Sequence, residues 1–216
     1  MILEYLGHSS FKLTLADGAV LMMDPYGSFY QYPLRRLKAD ICTVSHHHGD
    51  HDAVSSLEGN PLVLDTAGVH LPKDGITVQG IPTFHDEVQG KKRGPNLIFL
   101  IEAEGLRLAH LGDLGHRLAP EQMAPLQNLD LLLLPVGGYY TIGAATAAAV
   151  MEDLAPKVTI PMHYKTKADP DMPIAPVSDF LALVGVSPEP MALLRVTAQD
   201  ISQRPAMLLM TTPEGL

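Results

Sequence analysis

Ser45-His46-His47-His48-Gly49-Asp50-His51-Asp52 packs four of the chain's ten histidines into eight residues. The stretch follows Ile41-Cys42-Thr43-Val44, an apolar run rich in β-branched residues, so it reads as the loop at the end of a buried strand. In an extended loop, residues two apart point the same way, so His46 and His48 aim at one point. Gly49 lets the chain bend. Asp50 and His51 then stand where a short helix begins, and aim at a second point. Imidazole with carboxylate is the usual ligand set of borderline metals such as zinc. A purification tag would sit at a terminus and would lack the acid held between Gly49 and His51. The loop therefore offers two half-built metal sites.

Composition narrows the setting. The chain has 216 residues, enough for one domain with a real core, and we read 1–216 as that single domain. It holds no apolar run of about 18 residues, so no transmembrane helix is expected. The first residues lack the basic start of a secretory signal, and Cys42 is the only cysteine, which excludes an internal disulfide framework. A cytoplasmic location is the expectation. The net charge of −9 argues against a nucleic-acid partner, which needs a basic face. The expected partner is a small-molecule substrate, with neither membrane nor nucleic acid, and a homo-oligomer is compatible with the sequence.

Alternation and turn signals predict strands at 2–6, 11–15 and 19–23, then the strand before the histidine loop. A short helix is expected at 53–57 and one helical turn at 34–37. Further strands are expected at 62–64, 76–83, 97–102, 106–111, 129–136 and 158–162, with short ones near 191–196 and 206–210. Helices are expected at 120–123, 144–154 (capped by Thr141) and 177–183. The recurring event is a strand that ends in a polar ligand: Asp24, His46, His85, Asp113 and His163. In a layered α/β protein such strand ends converge on one edge.

The run His46-His47-His48-Gly49-Asp50-His51 matches the pattern H-x-H-x-D-H, and in this it resembles the metallo-β-lactamase superfamily. Gly7-His8-Ser9-Ser10, His110-Leu111-Gly112-Asp113-Leu114-Gly115-His116, Gly137-Gly138-Tyr139-Tyr140-Thr141-Ile142 and Ile160-Pro161-Met162-His163-Tyr164 resemble a branch of lactonase-like metal-dependent hydrolases. The resemblance spans most of 1–165 and fades in the last fifty residues. It implies an α/β fold, an αββα sandwich of two mixed sheets with helices on the outer faces and metals at one edge.

A binuclear centre needs about three protein ligands per ion and a bridging group, with the ions ~3.5–4 Å apart. His46 and His48 find a third ligand in His85, for which His110 and His116 compete. Asp50 and His51 find theirs in His163. Asp113, after Gly112, is placed to bridge. The resemblance assigns the same roles. Two divalent ions are implied, zinc first, with manganese and iron as alternatives. Asp24, His110 and His8 read as groups that orient ligands, with His8 also a substrate contact or leaving-group acid. His47 points away, and His70 reads as surface. Asp50 both ligates and orients a metal-bridging hydroxide.

Two basic clusters flank ligands on this acidic chain. Lys91, Lys92 and Arg93 follow His85, and Lys165 and Lys167 follow His163. On the rim they would attract a substrate phosphate or carboxylate. Tyr139, Tyr140 and Thr141 would line the pocket. Three functions compete: a hydrolase of a small anionic lactone or ester, a phosphodiesterase or nuclease, and a non-enzymatic protein that retains metal.

Overall fold

The computed structural model describes residues 1–28, 31–32 and 36–212. In chain order its strands are β1 (Ile2–Gly7), β2 (Ser10–Thr14), β3 (Val20–Met23), β4 (Ile41–Thr43), β5 (Leu62–Leu64), β6 (Gly68–Lys73) and β7 (Ile76–Phe84). They continue as β8 (Pro95–Ala103), β9 (Leu106–His110), β10 (Leu131–Pro135), β11 (Val158–Met162), β12 (Pro190–Met191), β13 (Leu194–Arg195) and β14 (Leu209–Met210). The helices are α1 (Pro120–Met123), α2 (Ala144–Leu154) and α3 (Val177–Val184).

Two mixed six-stranded sheets form the sandwich, ordered β13-β1-β2-β3-β4-β5 and β11-β10-β9-β8-β7-β6. Their facing sides share one core. Leu3, Phe11, Leu13 and Leu21 of the first sheet join Val78, Phe99, Ile101 and Leu108 of the second. The uninterrupted Leu131-Leu132-Leu133-Leu134 is fully buried on both faces of β10, as the unbroken apolar run predicts. Burying each such leucine contributes about 1.5–3 kcal/mol. A second, smaller cluster (Leu6, Met22, Ala39, Cys42 and Val44) covers the outer face of the first sheet. On that face the helix expected at 53–57 is a single 3-10 turn, Val54–Ser56. The turn expected at 34–37 begins on residues outside the described ones.

Strand direction places the site. β1 runs antiparallel to β2, and β2 to β3, while β3 and β4 are parallel. So β1, β3 and β4 all point one way. By the same argument β7, β9 and β11 share a direction in the second sheet. The residues just beyond these six C-terminal ends are His8, Asp24, the histidine loop, His85, Asp113 and His163.

Two expectations fail for local reasons. The pattern marks no strand at β6, because Val69 and Leu71 are exposed on an edge strand and Pro72 argues against one. Thr141 does not cap α2. Gly143 holds the cap position, with no side-chain bond, and Thr141 Oγ1 turns to the carbonyl of Ile142.

Candidate metal centre

The histidine loop is held from behind by Asp24. Its Oδ1 accepts the Ser45 backbone N–H at 2.8 Å, and its Oδ2 accepts the Ser45 hydroxyl at 2.5 Å and His51 Nδ1–H at 2.8 Å. The Ser45 hydroxyl proton is thus committed to Asp24, so Ser45 Oγ accepts from His46 Nδ1 at 2.9 Å. Both imidazoles therefore carry a proton on Nδ1 and turn Nε2 forward. A ligand's second nitrogen is held in this way at metal sites. Among the described residues, the buried Nε2 atoms of His46 and His51 have no hydrogen-bond partner. Buried nitrogens left without a partner cost free energy unless something outside the chain engages them. This donor set fits a divalent ion.

Asp113 is the convergence point. Its Oδ2 lies 3.1 Å from His85 Nε2, 3.2 Å from His163 Nε2, 3.4 Å from His51 Nε2 and 3.9 Å from His46 Nε2. Asn96 fixes its backbone: Oδ1 accepts Asp113 N–H at 2.9 Å, while Nδ2 donates to Thr83 Oγ1 and the Leu111 carbonyl. Gly112 lets the chain pass there, since a Cβ would stand 2.5 Å from Asn96 Oδ1.

Two imidazole clusters result, each with ligand atoms within 4.8 Å of one another. One is His46, His48 and His85, with His48 exposed. The other is His8, His51 and His163, all buried. The first is the predicted trio. The second differs from the expected Asp50, His51 and His163, because His8 enters it. Asp50 Oδ2 sits beside that trio, 3.4 Å from His8 Nε2 and 3.9 Å from His51 Nε2. His8, Asp24 and His163 all adopt left-handed backbone conformations, with φ of 55°, 45° and 51°. Such strain clusters at functional sites.

Charge follows from the burial. Burial, then the neighbouring His163, lowers the His8 pKa to about 4, and burial with His51 lowers that of His46 to about 3. His48 is lowered by burial and His85. Burial opposes a charge on His51 as well, but the Asp113 and Asp24 carboxylates outweigh it and raise its pKa well above 6.5. Burial also opposes ionisation of Asp113, yet His163 and His51 hold its pKa well below the usual range. Asp50 is lowered against burial by its bond to His8 and the charge of His51. The site therefore sets ionised carboxylates beside His8, His46 and His48, whose charge is disfavoured, and His51, whose charge is favoured.

The other histidines lie outside these clusters. His110 donates Nε2–H to the Ser9 carbonyl and accepts Gly112 N–H at Nδ1, so both its nitrogens serve the backbone around Asp113. His116 accepts Phe84 N–H at Nε2, and its Nδ1 donates to the Arg117 carbonyl. His47 is exposed, 3.6 Å from Asp52 and 3.7 Å from Asp65.

A cavity of about 660 Å³ opens over the centre, lined by His48, His85, Asp113 and His163 together with Lys92, Arg93, Tyr140 and the segment 168–173. Lys91, Tyr139 and Lys165 do not line it. Lys91 is exposed, the Tyr139 side chain points to solvent, and the Lys165 backbone pairs with Ala175. Two residues, Asn96 and Asp86, escaped the sequence reading. Asp86 is buried, and its carboxylate accepts the backbone N–H groups of Val88, Gly90, Lys92 and Arg93, each at 2.8 Å. Burial opposes the charge, but these bonds lower its pKa to about 2. The available signal was an Asp followed by Gly90 and Gly94, the composition of a folded turn.

Residues 2–163 match the profile of the beta-lactamase superfamily domain. The chain belongs to that superfamily. An Archaeoglobus fulgidus protein named UPF0173 metal-dependent hydrolase is 31% identical over 198 residues, covering 77% of this chain and 84% of the relative. Similar in structure is a Thermotoga maritima protein assigned as a Zn-dependent hydrolase of the metallo-β-lactamase superfamily. Its crystal structure gives a TM-score of 0.79 at 35% identity, covering 97% of both chains. Igni18, a metallo hydrolase of Ignicoccus hospitalis, shares the fold at a TM-score of 0.65 and 23% identity, over 85% of this chain and 90% of its own. Among the described residues of this superfamily member, no helix is long and apolar enough to cross a membrane.

Proposed function

We propose that this metal-dependent hydrolase of the beta-lactamase superfamily holds two divalent ions, zinc first among them, and opens a small anionic lactone or ester. The observation that carries the reading is Asp113 Oδ2, which lies within 3.9 Å of Nε2 atoms drawn from both imidazole clusters. His46, His48 and His85 would hold one ion. His51 and His163, with His8 or Asp50, would hold the other, and Asp113 would stand between them. When bound, such a pair supplies Lewis acidity and brings the pKa of water towards 7.

The chain's own groups complete the task. His8 Nε2 faces Asp50 Oδ2 and restrains the carboxylate, which orients the attacking water. Asp24 and Ser45 fix the rings of His51 and His46, so little reorganisation remains for the reaction. Arg93 and Tyr140 form the cavity wall where a substrate anion would lie.

The test pairs metal counting by mass spectrometry with turnover of lactone, ester and phosphodiester substrates, with and without chelator. The expected result is two ions per chain and chelator-sensitive hydrolysis of lactone or ester. One ion per chain, preference for a phosphodiester, or metal binding without any turnover would each overturn the reading.

A further inference from the structure

The cavity above the metal centre carries two cations, and they are held differently. Lys92 Nζ is bound to Glu87 Oε1 at 2.6 Å, so it already faces an acid, in an exposed pair. No carboxylate among the described residues pairs with Arg93. Its Nη2 donates to the Tyr139 carbonyl at 2.9 Å, and its guanidinium lies 5.6 Å from the centre of the Tyr140 ring. A carbonyl and a ring face orient a guanidinium without cancelling its charge.

The arrangement is fixed from both ends. The Arg93 backbone N–H is one of the four gathered by the buried Asp86. On the other side Tyr139 holds a left-handed backbone, φ 60°, which is uncommon for an aromatic residue, and from there its carbonyl meets Arg93. Ordering that is already present in the free protein does not have to be supplied when a ligand binds.

We propose that Arg93 binds a carboxylate of the substrate, so that the protein selects small carboxylate-bearing lactones or esters over neutral and phosphorylated counterparts. The proposal rests on the hydrolase reading above. A guanidinium fork matches the two oxygens of a carboxylate. A phosphate dianion would call for more positive charge than this wall supplies. Lys92 is occupied, one Arg93 donor is committed, and Asp169 and Asp171 line the same cavity.

The decisive comparison uses three matched esters: a free carboxylate, its neutral methyl ester and a phosphate analogue. Wild type should prefer the carboxylate. Arg93→Met should lower the carboxylate-to-neutral ratio of kcat/KM by about 30-fold, the scale of a lost charged hydrogen bond. Arg93→Lys keeps the charge without the fork and should fall between. It also decides the matter should the methionine variant fail to fold. A ratio that does not move, or a wild-type preference for the phosphate, overturns the proposal. Binding is read separately by titrating metal-free wild type and Arg93→Lys with glutarate in a calorimeter. Weaker binding by the variant supports the carboxylate site, and equal binding overturns it. If wild type hydrolyses none of the esters, the hydrolase reading fails, and the glutarate titration still decides the role of Arg93.

Discussion

His46, His48 and His85 leave one ring in solvent, whereas His8, His51 and His163 form a sealed trio in burial, with only His163 reaching the cavity wall. Both trios border Asp113, yet they are built on different terms. The open trio draws two members from one loop, and Ser45 is the polar group that steadies His46. The sealed trio needs three strand ends, two left-handed histidines and a fully buried Asp24 behind His51. The cavity reaches the open trio through His48 and His85 and the sealed one through His163 alone. The sealed trio is part of how the sheets' edge is held together. Its loss should therefore cost structure as well as chemistry.

The largest effect expected is at the residue both trios share. Asp113→Ala removes the oxygen that faces four Nε2 atoms. It should abolish binding of both ions and lower kcat/KM by at least about 10³-fold, the scale for losing a preorganised charge at a reacting centre. Metal analysis alongside turnover checks this. A variant that keeps both ions would show that the trios do not meet through Asp113.

Much of this site can be read in the sequence, and the reason is geometric. A strand of known direction ends where its apolar run stops, so His46, His85, Asp113 and His163 could be assigned to one edge before any coordinates. His8 was placed behind the metals, and the structure sets it within the sealed trio. Its position depends on the left-handed turn Gly7-His8, φ 110° and 55°, which no alternation pattern encodes. Asp86 escaped because composition marks its turn but not which residue anchors it. Asn96 escaped because it bonds to Thr83, Leu111 and Asp113 of other segments, and such partners become visible only once the sheets are assembled. The same holds for β6, whose pairing with β7 is a tertiary fact.

Asp24 and Ser45 separate the trios at the next scale of effect. Asp24→Asn weakens the support of His51, and Ser45→Ala that of His46 alone. Losing such a support typically costs 10–100-fold in metal affinity. Asp24→Asn should stand near about 100-fold and Ser45→Ala near about 10-fold, measured by competition with a chromophoric chelator. The reverse order would contradict the division into a sealed and an open trio.

Both trios hold imidazoles with lowered pKa values and the sealed one also holds a raised one, and this sets the pH response of metal-free protein. His8 and His46 have folded-state pKa values lowered to about 4 and about 3. Unfolded, they take up protons near 6.5, so stability should fall as pH drops from about 6.5 towards 4. His51 has the opposite sign, because its folded pKa is raised. Its contribution is complete below 6.5 and is lost as pH rises through the raised value. Melting temperature should therefore peak near pH 6.5 and decline by several degrees per pH unit on the acid side. A melting temperature that rises steadily from pH 4 to 6.5 and stays level above it would mean that His51 is not held protonated.

His47 provides the smallest effect and the sharpest control. It lies between two trio members in sequence, yet its ring is exposed and, among the described residues, its ion pairs are with Asp52 and Asp65, at 3.6 and 3.7 Å. Surface pairs at such distances contribute about 0–1 kcal/mol. His47→Ala should change stability by less than about 0.5 kcal/mol and leave metal content and turnover as in wild type. His46→Ala and His48→Ala should each lose the ion of the open trio. One residue's shift along the loop thus separates a ligand from a bystander, because alternate side chains of an extended segment face opposite ways. A loss of metal in His47→Ala equal to that of its neighbours would mean that the loop binds as a flexible cluster, and the open trio would then have no fixed membership.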